Sequence, residues 1–295
     1  MSDNPSPHFE RDQALVLDQA MRDMPREVRN ILHPVKMGTT DRFCFRCHPE
    51  IDCFNACCSQ IEIILTPYDI LRLRRRLNLA TEAFLFEYAT PYTLAKGQLP
   101  VPLLRMDEET GKCPFNTPAG CTVYSDRPVA CRYYPIGLAL MREEKASATD
   151  EFFYLIKEPF CHGHQETRSW TVGEWRADQG SDGYDVRNQG WMELILKRRS
   201  AGDGVSTSLQ MSEFFYMAST NPDAFRRFVF DSSFLQRYAV DQETLTRIRE
   251  DDEAMIDFAC DWLKTVLFGD RKIPLQPQAL AELAQRKAAG SPPRT

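Results

Sequence analysis

Apolar and polar positions alternate with different periods along the chain, and the changes of period divide it into three stretches. Residues 1–40 are a polar lead-in in which Leu15, Val16, Ala20 and Met24 share one face, predicting a short peripheral helix from Arg11 to Met24. The run IEIILT at 61–66 is β-prone and leads into Thr66-Pro67-Tyr68-Asp69. There Thr66 can cap a helix, Pro67 suits its first position and Asp69 can return a carboxylate to the cap, so a helix is expected through about Leu77, with a second opening at Thr81. Between Gln98 and Arg142 the breakers Pro100, Pro102, Gly111, Pro114, Pro118, Gly120, Pro128 and Pro135 interrupt every regular pattern and predict mostly loop.

Glu151–Lys157 (EFFYLIK) reads as a strand, Cys161-His162-Gly163-His164 as a tight polar turn, and Thr171-x-x-Glu174 as a capping box opening a helix. A further helix is expected from Asp185 to Arg199. Helical periodicity then dominates, over Leu209–Ala218, Pro222–Phe230 and Gln242–Leu267, with Asn221-Pro222 and Gly269 as start and stop signals and a short helix after Arg271. Aromatic residues at helical spacing in this section read as core. The expected fold class is α+β, mostly α: the lead-in 1–40, an irregular cysteine-rich domain with short strands at 41–200, and a helical section at 201–295.

Composition narrows the function. Hydrophobic residues are 43% and charged residues 26%, ordinary for a folded domain, and no run of eighteen apolar residues predicts a membrane span. The formal charge is -6, and Arg72, Arg74, Arg75 and Arg76 beside Leu71, Leu73 and Leu77 read as the solvated side of an amphipathic helix, so nucleic acid is not a favoured partner. No apolar export segment follows the start, which points to a cytoplasmic address.

Against this ordinary background the cysteines stand out. Nine of ten, Cys44, Cys47, Cys53, Cys57, Cys58, Cys113, Cys121, Cys131 and Cys161, fall in one stretch, five of them within CFRCHPEIDCFNACC. In a reducing cytosol a chain of this length needs no covalent staples, so disulfides are the minor reading. Idle thiols favour apolar surroundings, as Cys260 within IDFACDWLKTVLF has, whereas Cys47 and Cys53 lie among His48, Glu50 and Asp52. Metal ligation leads. It also explains the loops, because a shared ligand shell anchors segments that have no apolar stripe, and structural zinc contributes on the order of 10 kcal/mol of apparent free energy.

Cys44-x2-Cys47 lets two sulfurs converge on one ion, but the following spacings fail the zinc-finger and zinc-ribbon templates. Neighbouring side chains tend to point apart, so in the Cys57-Cys58 pair one thiol binds while the other packs, or the two serve different centres. Arg127 and Arg132 flank Cys131 and either offset a thiolate-ligated centre or pair with a carboxylate. His48, His162 and His164 are second-choice ligands.

The doublet Cys57-Cys58, Leu65-Thr66-x-x-Asp69, Cys113-x-Phe115, and Cys121-x-Val123-Tyr124-x-x-Arg127-Pro128-x-x-Cys131-Arg132-x-Tyr134-Pro135, closed by Cys161-x-Gly163, resemble the YkgJ-type or CxxCxxCC cysteine-cluster family, described as zinc- or iron-chelating proteins, over roughly residues 42 to 190. The chain departs from the family's compact C-x2-C-x2-C-C by spreading its thiols as C-x2-C-x5-C-x3-C-C, which leaves open which two of Cys44, Cys47 and Cys53 fill the first two positions. The resemblance extends to the flagellin lysine methylases, whose similar cysteine arrangement is held to carry an iron-sulfur centre. Clustered thiols with Phe43, Phe45, Phe54 and Phe115 nearby to exclude water favour an iron-sulfur cluster, a [4Fe-4S] centre, over Zn2+. The leading expectation is electron transfer or cluster handling with a protein partner. The alternatives are a zinc-stapled interaction domain and an oxidoreductase or protein methylase; no glycine-rich nucleotide loop supports the enzyme.

Overall fold

The computed structural model describes residues 32–93, 99–141, 150–200 and 208–288. The helix expected at Arg11 to Met24 lies outside these residues, as does the Pro-rich end. The architecture is α+β and mostly helical, with short strands in small sheets, as the periodicities predict.

The main sheet has the order β1-β8-β7, formed by β1 (Leu32–Met37), β8 (Asp150–Ile156) and β7 (Ile136–Met141), all antiparallel. Two of its strands differ from the sequence reading. Leu32–Met37, inside the expected lead-in, pairs with the EFFYLIK strand, and Ile136–Met141, inside the expected loop region, pairs on its other side. Both need a partner distant in sequence to become strands, and neither carries a clear local signature. Smaller antiparallel pairs join β2 (Arg42–Cys44) to β9 (Ser169–Thr171), β3 (Ala89–Tyr92) to β4 (Val101–Leu104), and β5 (Asn116–Thr117) to β6 (Gly120–Cys121). IEIILT is extended but not a strand: Leu65 donates to the Pro102 carbonyl and Leu104 to that of Ile63, with a single bridge at Ile64 and Leu103.

Helix α1 (Pro67–Leu77) opens with the expected capping box at Thr66 and Asp69, and α2 (Thr81–Tyr88) follows. A one-turn helix α3 (Val129–Tyr133) carries Cys131. The Thr171-Glu174 box opens α4 (Val172–Gln179), which ends at Gly180 in the left-handed conformation. Helix α5 (Ser181–Ser200) begins four residues earlier than Asp185. The helical section comprises α6 (Leu209–Thr220), α7 (Pro222–Asp231), α8 (Phe234–Arg237), α9 (Gln242–Glu250), α10 (Asp252–Phe268) and α11 (Pro277–Ala288). The single helix expected at Gln242–Leu267 is thus two. Asp251 turns extended between them, and its carboxylate accepts from Glu253 and Ala254 amides at 2.8 and 3.3 Å, so a capping side chain interrupts an otherwise continuous apolar period.

Three apolar clusters support these elements among the described residues. The largest lies in the helical section around Phe225, Phe234, Phe258 and Trp262, and it buries Cys260, as expected. A second, around Phe45, Ile136, Trp170 and Trp175, backs Cys161. A third, around Leu65, Ile70, Phe84 and Phe115, backs Cys113, Cys121 and Cys131. The basic face of α1 is less solvated than its pattern suggests: Arg72 is paired with Asp126, while Arg74 and Arg75 both hold Asp252 at the start of α10. The two pairs with Asp252 tie the cysteine-rich part to the helical section.

Candidate metal centre

The short 3-10 helix Ala56–Cys58 presents the cysteine doublet, and its second member is tied directly to a distant thiol segment: the Cys113 amide donates to the Cys58 carbonyl at 2.8 Å, beside an antiparallel bridge between Ser59 and Lys112. Cys121 lies on β6, opposite Asn116 of β5, so the hairpin folds it back toward Cys113. Asn55, left-handed at φ 65, donates through Nδ2 to the Thr117 carbonyl at 3.0 Å and holds the hairpin against the doublet. Small polar residues tolerate that conformation better than β-branched ones.

Cys131 is placed by a buried carboxylate. Asp69 is fully buried; its Oδ2 accepts from the Thr66 amide at 2.8 Å and its Oδ1 from the Val129 amide at 2.9 Å, so one side chain caps α1 and fixes the first residue of α3. Burial pushes its pKa from 3.8 up to about 6, against the pull of the Thr66 and Val129 amides and the Arg132 charge. Arg132 closes the same corner. Its Nε donates to the Arg127 carbonyl at 3.0 Å, its Nη1 to the Gln179 carbonyl at 2.6 Å and its Nη2 to the Tyr184 hydroxyl at 3.0 Å. Two of the motif's charged residues are therefore positioning residues.

Arg127 has a different place. It is buried, stacks over Tyr124 at 3.9 Å, donates to Gln179 rather than to a carboxylate, and leaves its Nε buried with no hydrogen-bond partner. Its charge acts on Cys58, Cys121 and Cys131, favouring the thiolate at each. A guanidinium buried among thiols fits an anionic metal-thiolate centre.

The thiols repel one another as thiolates. Cys58 is drawn down to about 7, first by the hydrogen bond from Cys57 and then, against burial, by Arg127. The same hydrogen bond and burial hold Cys57 protonated. The two neighbours of the 3-10 helix thus act on each other's protonation in opposite senses. Burial pushes Cys113 up to about 11, with the charges of Cys58 and Cys121 adding to it. Burial also raises Cys121 and, more strongly, Cys131, on which Cys113, Cys58 and Asp69 act as further negative charges. Cys58, Cys113, Cys121 and Cys131 therefore form one interacting group, drawn from four segments.

Cys47, Cys53 and Cys161 form another. Cys47 is raised by burial, opposed by the Asn55 amide, and feels Cys161, Cys53 and Cys58. Cys161 is raised by burial, opposed by a hydrogen bond from Tyr134, and feels Cys53 and Glu158. The His162 amide donates to the Cys53 sulfur at 3.2 Å. Cys44, at the end of β2, is exposed, as is Cys47.

Of the three candidate histidines, His48 is paired with Glu50 at 2.7 Å, and His164 packs on Phe45 while its Nε2 meets the Ile156 carbonyl at 2.9 Å. His162 faces Asp52, Nδ1 to Oδ1, at 2.6 Å. The sequence reading named Asp52 only as part of the polar surroundings of Cys53, not as a candidate ligand. Its signal was faint, since acidic residues flank many surface thiols.

All ten cysteines are free, and nine of them lie between residues 44 and 161. Residues 46–162 match the model of the CxxCxxCC family, described as "putative zinc- or iron-chelating domain", which is the family the sequence resembles. The match spans both thiol groups and leaves out Cys44. No curated protein and no solved structure matches the chain. Among the described residues no helix is long and apolar enough to cross a membrane.

Proposed function

We propose that Cys58, Cys113, Cys121 and Cys131 hold a [4Fe-4S] cluster, and that the protein serves electron transfer or cluster handling with a protein partner in the cytoplasm. The observation that carries this reading is the Cys113 amide bonded to the Cys58 carbonyl at 2.8 Å, with Cys113, Cys121 and Cys131 packed against the wall of Leu65, Ile70 and Phe115 and the buried Arg127 charge acting on Cys58, Cys121 and Cys131.

Spacing favours a cluster over a single zinc. Zn–S bonds of about 2.3 Å bring the sulfurs of a tetrahedral site to about 3.8 Å from one another. No three cysteine sulfurs among the described residues lie within 4.8 Å of each other. A cubane binds each thiolate on a different iron and so spans a wider set. When bound, such a cluster supplies one-electron chemistry. The chain's own contribution is to hold four thiolates at fixed spacing, offset their charge with Arg127 and exclude water with Phe115. Tyr124 and Phe160 remain exposed beside Arg127 and Cys161, and exposed aromatic residues of this kind suit a protein contact.

Anaerobic purification followed by metal analysis and visible absorption tests the reading. Iron and sulfide in equal amounts with broad visible absorption are expected. A colourless protein with stoichiometric zinc at these thiols overturns it.

A further inference from the structure

The arginines of α1 do not all serve the fold, and those that reach solvent lie beside an exposed aromatic ring. Arg72 and Arg76 stand one helical turn apart on the same face of α1. The 3-10 turn Tyr124–Asp126 packs against that face and is fastened to it by the Arg72–Asp126 ion pair. Within the turn Tyr124 is 62% exposed, and the guanidinium of the buried Arg127 stacks on its ring at 3.9 Å. A ring seated on a buried cation is held in one place with its edge toward solvent, which lowers the cost of ordering it in a contact.

The outer charge of this face is positive. The side chains of Arg72 and Arg75 are 39% and 49% exposed, whereas their counter-carboxylates on Asp126 and Asp252 are only 12% and 16% exposed. Both oxygens of Asp126 are engaged, Oδ1 by Arg72 Nε at 2.9 Å and Oδ2 by the Ser125 hydroxyl at 2.7 Å. Arg76 is exposed and has no ion pair among the described residues. Asp178, reached through Arg127 and Gln179, is an exposed carboxylate and bounds the patch on that side. A helix dipole accounts for cations in the last turn of α1 but not for a bare tyrosine beside them. The whole chain carries a formal charge of -6, so an anionic protein is repelled over most of the surface and drawn in here.

The patch lies close outside the first thiol group, since Tyr124 follows Cys121 by three residues, at most about 11 Å of chain. We propose that Tyr124, Arg72 and Arg76 form the docking face for a small acidic electron-carrier protein, with the tyrosine seated in the contact and the arginines steering the carrier's carboxylates. This rests on the reading above that Cys58, Cys113, Cys121 and Cys131 hold an iron-sulfur cluster. The exchange moves one electron between the carrier's centre and that cluster, one oxidised as the other is reduced, and breaks no bond. Transient electron-transfer contacts bury less than about 1,200 Å2 in all, so an exposed aromatic residue with a few charges at its rim is enough.

The test uses the full-length chain prepared without oxygen, with a chemically reduced plant-type [2Fe-2S] ferredoxin of acidic surface as the probe. Calorimetry follows binding and stopped-flow absorption follows electron exchange. Binding should weaken about tenfold in Arg76→Glu and about fivefold in Tyr124→Ala, with metal content and urea midpoint unchanged at these exposed positions. Raising the salt from about 0.01 to 1 M shortens the electrostatic reach from about 30 to 3 Å and should remove most of the wild-type binding, but little of what Arg76→Glu retains. Wild-type binding in both variants, or no binding to wild type at low salt, would overturn the proposal. So would tighter binding of a single-stranded oligonucleotide or of phosphatidylserine vesicles through the same residues, because the patch would then recognise polyanions rather than an acidic protein. A colourless wild type that binds the ferredoxin through Arg76 and Tyr124 without exchanging electrons would remove the iron reading and leave the docking face standing.

Discussion

Replacing Asp69 separates its two jobs, capping α1 and placing Cys131. Asp69→Ala leaves the Thr66 and Val129 amides without their carboxylate acceptors, at about 1–3 kcal/mol for each buried donor. The same change removes a buried charge. Raising the carboxyl from 3.8 to about 6 means that the ionised fold is penalised by about 3 kcal/mol at neutral pH, and this penalty vanishes with the side chain. The two effects oppose each other, and a net destabilisation of up to about 3 kcal/mol is expected at neutral pH. Asp69→Asn keeps one acceptor and also removes the charge, so its stability should stay within about 1 kcal/mol of wild type. Metal binding should respond differently. Both variants free or misplace Val129, two residues before Cys131, and both should retain metal several-fold less well in competition with a chelator. Denaturant unfolding gives the first quantity and chelator competition the second. Wild-type metal retention in Asp69→Ala, at whatever stability, would refute the idea that this carboxylate positions the thiol.

Arg127→Gln removes the cation that favours the thiolates of Cys58, Cys121 and Cys131, so metal uptake followed by absorption should need a higher pH than in wild type. Burial depresses the pKa of His164 below 6.5, so its stabilising contribution is complete above that value and is lost as pH falls from there toward the folded value. His164→Gln should flatten that part of the denaturation-versus-pH curve. Asp252→Asn leaves Arg74, Arg75 and Arg226 without their shared carboxylate and should cost roughly 2 kcal/mol, between an exposed and a buried ion pair, as read by urea unfolding. Cys44→Ser should leave the metal content unchanged, since that thiol lies outside the matched stretch 46–162; a measured loss would return it to the ligand set.

Local chemistry alone determined a good part of this protein. The Thr66-Pro67-x-Asp69 and Thr171-x-x-Glu174 boxes, the Gly269 stop and the helices of the last third were legible, because capping and apolar periodicity act within one or two turns. So was the likeness of the 46–162 stretch to the CxxCxxCC family, since its motifs are read from neighbours in sequence. Tertiary structure decided the rest. Leu32–Met37 and Ile136–Met141 became strands only against Asp150–Ile156, and the arginines of α1 found Asp126 and Asp252 from distant segments. The same holds for the thiols: Cys58 is tied to Cys113 and Cys53 to His162 by hydrogen bonds spanning 55 and 109 residues, and pairings over such separations leave no local pattern to read.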